Sequence, residues 1–227
     1  MKKENKRVAE YEFSIGYRLS HWVRFFAIML LIISGYYISF VFQSPMVSDE
    51  PVLFLQAKWR FVHIVAGFVM IAAVIYKSYI FIFDKMSHIE RVSIKDFLSP
   101  KVWFEQIKYY LYLTDEHPHL KGVYNPLQFI AYIMFYAVAF ILILTGLILY
   151  MHVYHHGFGG AIFDILRPVE VWMGGLANVR AIHHICMNVL IIFIVAHIYM
   201  AVFNAVKGRN GGMDAVISGY KFPEENH

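Results

Sequence analysis

The chain has 227 residues, of which 59% are hydrophobic and 16% charged, and its mean hydropathy is +0.53. Soluble domains carry about 25% charged residues, so the composition excludes an ordinary soluble enzyme and points to an integral membrane protein. A single cysteine, Cys186, excludes an intrachain disulfide and any multi-cysteine iron–sulfur or zinc site, and the net charge of +4 calls for no nucleic acid, because the cations follow membrane topology.

In chain order, a tail carrying Lys2, Lys3, Lys6 and Arg7 leads straight into a long apolar segment, so no cleavable leader is expected. Four spans are predicted, at 18–42, 59–83, 127–151 and 182–206. Each is about 25 residues, more than the roughly 20 a bilayer requires, so some tilt is expected. The connection at 84–126 carries Lys85, Arg91, Lys95, Lys101, Lys108 and Lys121, and the C-terminus carries Lys207, Arg209 and Lys221. The other two connections hold only Lys58 with Arg60, and Arg167 with Arg180. The positive-inside rule then puts both termini in the cytoplasm. Within 84–126, the amphipathic stretch from Pro100 to Leu113 is expected on the membrane surface. The connection at 152–181 is Gly-rich and too short for an enzyme domain. Residues 1–227 read as a single all-α membrane domain, a four-transmembrane-helix bundle whose chemistry lies in the bilayer or in a partner.

The histidines supply that chemistry. His183 and His197 are fourteen residues apart on one predicted helix. At roughly 100° and 1.5 Å per residue they share a face and lie about 21 Å apart along the axis. Polar rings at two depths of a membrane need partners. His21 opens span one near the inner face, and His63 opens span two near the outer face. The depths pair His63 with His183 outside and His21 with His197 inside. Two stacked haems explain this pattern, each held between two imidazoles in the six-coordinate form suited to electron transfer. A zinc site is a poorer match, because zinc wants three or four ligands at one level. His184 is the alternative to His183, but it points about 100° away from the shared face; it is then left to bond a partner or a haem propionate.

Residues around these histidines fit the same reading. Arg18 and Arg24 lie three residues either side of His21, Arg60 three before His63, and Arg180 three before His183. Near the membrane surface such cations suit propionates. Gly35 shares the face of His21 fourteen residues on, and Gly67 follows His63 by four; both allow a flat cofactor close to backbone. Span three holds no interior histidine, so it reads as the wall that closes the bundle, with Gly146 a helix-contact glycine.

Arg18-Leu19-Ser20-His21-Trp22, running on to Ser34-Gly35, resembles the first signature of the cytochrome b subunit of membrane-bound nickel–iron hydrogenases. Arg180-Ala181-Ile182-His183-His184, with His197 downstream, resembles the second. The resemblance covers essentially the whole chain and extends to cousins such as formate dehydrogenase cytochrome b subunits. It implies a multi-pass subunit of the inner membrane holding two haems b. Such a subunit anchors a periplasmic hydrogenase, made of an iron–sulfur small subunit and a nickel–iron large subunit, and passes its electrons to a quinone, with menaquinone the expected acceptor. The chain alone is not expected to activate hydrogen.

Quinone reduction needs protons as well as electrons, which turns attention to Asp115-Glu116-His117-Pro118-His119 and Tyr124-Asn125-Pro126 before span three. The resemblance favours His119 and Asn125 as quinone-side residues, with Tyr110 and Met200 as further candidates. His152, His155 and His156 on the other side read as part of a docking surface for the small subunit. Two other readings compete: the equivalent subunit of a formate dehydrogenase or related reductase, and a small transporter or proton channel without haem.

Overall fold

A computed structural model describes residues 9–40, 55–114, 119–207 and 212–221. The tail cations Lys2, Lys3, Lys6 and Arg7, residues 41–42 of the first expected span, Asp115 to Pro118, and Arg209 lie outside the described residues. In order, the elements are β1 (Glu10–Tyr11), α1 (Ile15–Phe40), α2 (Leu55–Phe83), α3 (His88–Phe97), α4 (Pro100–Tyr110), α5 (Pro126–Met151), α6 (Phe158–Trp172), α7 (Leu176–Lys207), α8 (Gly212–Ser218) and β2 (Tyr220–Lys221). The mostly helical fold expected from composition is what the chain adopts. Among the described residues, four helices, α1, α2, α5 and α7, are long and apolar enough to cross a membrane. Twenty-six residues of α-helix extend about 39 Å, more than the hydrocarbon core needs. Large apolar side chains along them face outward: Phe26, Ile75, Phe140 and Ile192 are each more than 60% exposed. A lipid surround covers such a surface at no cost, whereas water would not. The protein is a multi-pass integral membrane protein.

Two compact units divide the chain. The first gathers the described residues up to Leu19, Lys77–Ala137, and those from Ile191 on; the second gathers Ser20–Tyr76 and Val138–Leu190.

In the first unit, β1 pairs antiparallel with β2, Glu10 opposite Lys221 and Tyr11 opposite Tyr220. The two ends of the described chain therefore meet, and Phe13, Tyr17 and Ala215 pack beneath them. Gly219 turns the chain into β2 at φ +92°, and a Cβ there would lie 3.0 Å from the Phe13 carbonyl oxygen, so only glycine suits the position. The connection between α2 and α5 contains α3 as well as the anticipated amphipathic segment, which forms α4. Buried Asp96 on α3 accepts the backbone N–H groups of Lys121 (2.8 Å) and Gly122 (2.7 Å), and Ser93 Oγ accepts that of Tyr124 (3.0 Å). A Cβ on Gly122 would come within 2.2 Å of Ser93 Oγ, so this approach requires glycine. α5 then starts with a reciprocal cap: Gln128 N–H donates to Asn125 Oδ1 (2.8 Å) and Asn125 N–H donates to Gln128 Oε1 (3.1 Å).

In the second unit, the Gly-rich connection contains α6, and α7 starts six residues before the expected span. Gly159 and Gly160 occupy the tight first turn of α6, where a Cβ would meet the carbonyl oxygens of Tyr154 (1.9 Å) and His155 (2.7 Å). Ile162, Phe163, Leu166 and Val169 then recur at helical spacing and pack on buried Ile148, Met151 and Val179. His152, just past the end of α5, reaches the buried Glu170 carboxylate at 2.6 Å and so ties α6 to α5, while Arg167 meets the same carboxylate from within α6 at 2.6 Å. The hydrogen bond from His152 holds that carboxyl below its ordinary value.

Candidate functional site

α2 and α7 bring His63 and His183 together within the second unit. Their ring centres are 6.3 Å apart with planes inclined at 62°. A ring nitrogen lies about 1.1 Å from the ring centre and binds a first-row metal at about 2.0–2.1 Å, so two imidazoles facing across one ion have centres about 6.3 Å apart. The pair therefore has the separation that a shared haem iron requires. His184, one residue on, turns away and meets Ser39 Oγ through Nε2 at 3.2 Å. Of the two candidates on α7, His183 is the one that faces His63.

α1 and α5 close in on the same two rings. Ser34 Oγ lies 2.9 Å from His63 Nδ1, and Thr145 Oγ1 lies 2.8 Å from His183 Nδ1. Both hydroxyl residues are fully buried. The glycine after each flanks the ring: a Cβ on Gly35 would lie 3.4 Å from His63 Cε1, and one on Gly146 would lie 3.6 Å from His183 Cε1. A Cβ on Gly67 would meet nothing within 4 Å, which leaves open space one turn beyond His63. α5 is thus more than a wall, and Gly146 more than a helix-contact glycine: the span without a histidine supplies both Thr145 and Gly146. Sequence reasoning missed Ser34 and Thr145 as site residues. Their signal was a hydroxyl residue followed by glycine in the C-terminal third of two apolar spans.

The other candidates fall as follows. His21, on the α1 stretch of the second unit, sets its ring edge-on to Trp22 at 5.4 Å. His197, on the α7 stretch of the first unit, stacks on Phe193 at 5.7 Å and lies 6.4 Å from the Tyr132 ring. Arg24 is buried and donates through Nε to the Ser20 carbonyl oxygen. Arg18 donates to the Ile217 carbonyl oxygen at 2.7 Å, which ties α1 to α8. Arg60 and Arg180 are exposed on their helices. Among the described residues, no three histidine, cysteine or acidic side chains gather as a metal cluster.

In the first unit, Asn125 Nδ2 donates to Tyr110 OH at 3.2 Å, and the Tyr110 ring lies 5.9 Å from that of Phe203. His119 is exposed and Met200 half-buried. Nearby, Lys77 Nζ donates to both oxygens of buried Glu90 at 2.9 Å, which also accepts Ser87 (3.1 Å) and Tyr124 OH (3.2 Å). Lys77 Nζ sits 4.1 Å over the Tyr17 ring, whose hydroxyl is 2.9 Å from that of Tyr124. Burial pushes the Tyr124 phenol well above its ordinary value, and Tyr17 and Glu90 add to the rise.

Comparison with known proteins identifies relatives of this chain. The family described as prokaryotic cytochrome b561 matches residues 12–219. A probable Ni/Fe-hydrogenase B-type cytochrome subunit of Rhodobacter capsulatus is 27% identical over 220 residues, covering 95% of this chain and 82% of that one. The Bradyrhizobium diazoefficiens protein of the same name is 29% identical over 229 residues (94% and 86%). A probable Ni/Fe-hydrogenase 1 B-type cytochrome subunit of Escherichia coli K12 is 27% identical over 228 residues (96% and 93%).

Proposed function

The chain belongs to the prokaryotic cytochrome b561 family, and from that premise we propose that it is the di-haem b anchor subunit of a membrane-bound nickel–iron hydrogenase, passing electrons to quinone. A b-type cytochrome carries haem b, and the residues present suit it. When bound, haem supplies a one-electron carrier whose iron is closed to oxygen and substrate by two imidazoles. His63 and His183 would hold one haem. His21 and His197 would hold the other, on the helical spacing alone, with buried Arg24 a candidate for its propionates. Arg60 and Arg180 are candidates for those of the first.

The single observation that carries the reading is the His63–His183 pair at 6.3 Å, backed by two buried hydroxyls and two glycines. The names of the relatives support a hydrogenase as electron source rather than a formate dehydrogenase. A haem-free transporter gains no support from a cytochrome family. On this reading the iron–sulfur small subunit docks at the His63/His183 end, near His155 and His156, with the nickel–iron large subunit beyond it. A quinone, menaquinone by expectation, takes electrons at the other end. Tyr110, Asn125, His119 and Met200 are the candidates to receive it, and Tyr110 has a hydroxyl with which to address a quinone oxygen. The domain is one unit of function from 1 to 227, with both termini in the cytoplasm.

Purification of the chain with its partners tests this directly. Two b-type haems per chain and hydrogen-dependent reduction of a menaquinone analogue are expected. A complex that carries b-type haem but takes electrons only from formate would replace the partner assignment.

A further inference from the structure

Ser34 and Thr145 stand in the same relation to two different histidines on different helices. Each hydroxyl reaches Nδ1 of one ring, and each also reaches backward along its own helix: Ser34 Oγ to the Leu30 carbonyl oxygen at 2.5 Å, Thr145 Oγ1 to that of Ile141 at 2.7 Å. Longer contacts run to Leu31 (3.3 Å) and Leu142 (3.2 Å). Both residues are 0% exposed, so bulk water does not compete for these groups.

A hydroxyl has one proton to give and two lone pairs to receive with. A backbone carbonyl only accepts, so the hydroxyl proton goes to Leu30 in one case and Ile141 in the other. What remains for the ring is a lone pair, which only a protonated Nδ1 satisfies. A neutral imidazole has one N–H, so Nε2 is left bare on His63 and on His183 alike.

We infer that Ser34 and Thr145 are paired positioning residues: each fixes the tautomer and rotation of its histidine so that both rings present an Nε2 lone pair to one haem iron. The inference rests on the haem reading above and assigns these two side chains a part in it. A histidine that donates its Nδ1–H to a good acceptor is the stronger ligand, because the acceptor draws the proton and leaves more electron density on the ring. Here the acceptor is itself polarised by a helix carbonyl. The two hydroxyls therefore favour the oxidised iron and hold the potential of this haem down.

The test uses the full complex in detergent, with Thr145→Val, Thr145→Ser and Ser34→Ala. Thr145→Val keeps the branched shape and removes the hydroxyl; Thr145→Ser keeps the hydroxyl and removes a methyl. The readouts are b-haem content of the reduced spectrum, a potentiometric titration, and the low-spin signals of the oxidised haems by electron paramagnetic resonance. In Thr145→Val and Ser34→Ala, one titrating component is expected to move to higher potential with its low-spin signal shifted, while the other component stays. Thr145→Ser is expected to match the parent. Loss of one haem in Thr145→Val but not in Thr145→Ser also supports the assignment. Unchanged potential and signal in both hydroxyl-deleted variants would overturn it, as would equal loss in Thr145→Val and Thr145→Ser. A parent complex with no b-type absorbance would instead end the haem reading itself.

Discussion

The His63 and His183 rings stand 6.3 Å apart, centre to centre, at the meeting of α2 and α7, while His184, adjacent in sequence, bonds Ser39. Which of two neighbouring histidines serves a site is decided here by about 100° of helix rotation. His63→Ala and His183→Ala are each expected to remove the same half of the b-type absorbance. His184→Ala is expected to leave the haem content unchanged in a pyridine haemochrome assay.

Gly35 leaves room for the His63 ring. Its absent Cβ would make ordinary contact with His63 Cε1 at 3.4 Å and Met187 Sδ at 3.6 Å. Gly35→Ala is therefore expected to be tolerated. Gly35→Leu adds three further carbons at a site already in contact, and overpacking costs about 1–3 kcal/mol where it is tolerated at all. Loss of one haem in Gly35→Leu and retention of both in Gly35→Ala is the outcome to look for in reduced-minus-oxidised spectra.

Lys77 and Glu90 form a buried ion pair that joins α2 to α3 at 2.9 Å. Removing one partner leaves an uncompensated buried charge, at a cost of about 3–5 kcal/mol. Glu90→Gln is expected to lower thermal stability by that order in fluorescence-detected unfolding. Lys77→Met combined with Glu90→Gln should recover much of the loss, because no charge is then stranded.

Glu170 gives the fold an acid-sensitive joint. Its folded-state pKa lies below the ordinary 4.5, so the unfolded chain binds the proton more readily. The stability it contributes is thus fully present above the ordinary value and is lost as pH falls through the lower folded one. Hydrogen exchange of 158–172 should rise across that acid window, and Glu170→Gln should flatten the response. His152→Ala leaves a buried carboxylate one partner short, at a cost of about 1–3 kcal/mol of local stability.

Tyr110 and Asn125 share a hydrogen bond, but Asn125 also caps α5. The two variants should therefore behave differently. Tyr110→Phe is expected to slow menaquinone-analogue reduction several-fold with haem content and stability intact. Asn125→Ala also loses a cap contribution of about 1 kcal/mol. A wild-type rate in Tyr110→Phe would remove that residue from the quinone assignment.

Four apolar spans and the likeness to a hydrogenase cytochrome b were legible in the residues alone. The backbone ladder of a helix fixes which side chains share a face without reference to anything distant, so spacing is a local property. Patterns that look like loops were less legible. The stretch at 152–181 reads only as a Gly-rich connection, yet Gly159 and Gly160 serve the tight start of α6, because the carbonyls of Tyr154 and His155 occupy the space a Cβ would take.

Which groups meet depends on how the helices pack. Ser34 and Thr145 are, in sequence, unexceptional hydroxyls that bond back to carbonyls of their own helices, as such residues do in apolar spans. Their second bonds, to His63 and His183, cross 29 and 38 residues of chain. Contacts of that range follow from how helices rotate against one another to bury small residues and satisfy polar ones, and no local pattern records that rotation. The order of residues was enough to place the protein in the membrane and to put histidines on its apolar helices. Helix against helix determined that His183 rather than His184 faces His63, and that the span without a histidine supplies a hydroxyl to the site.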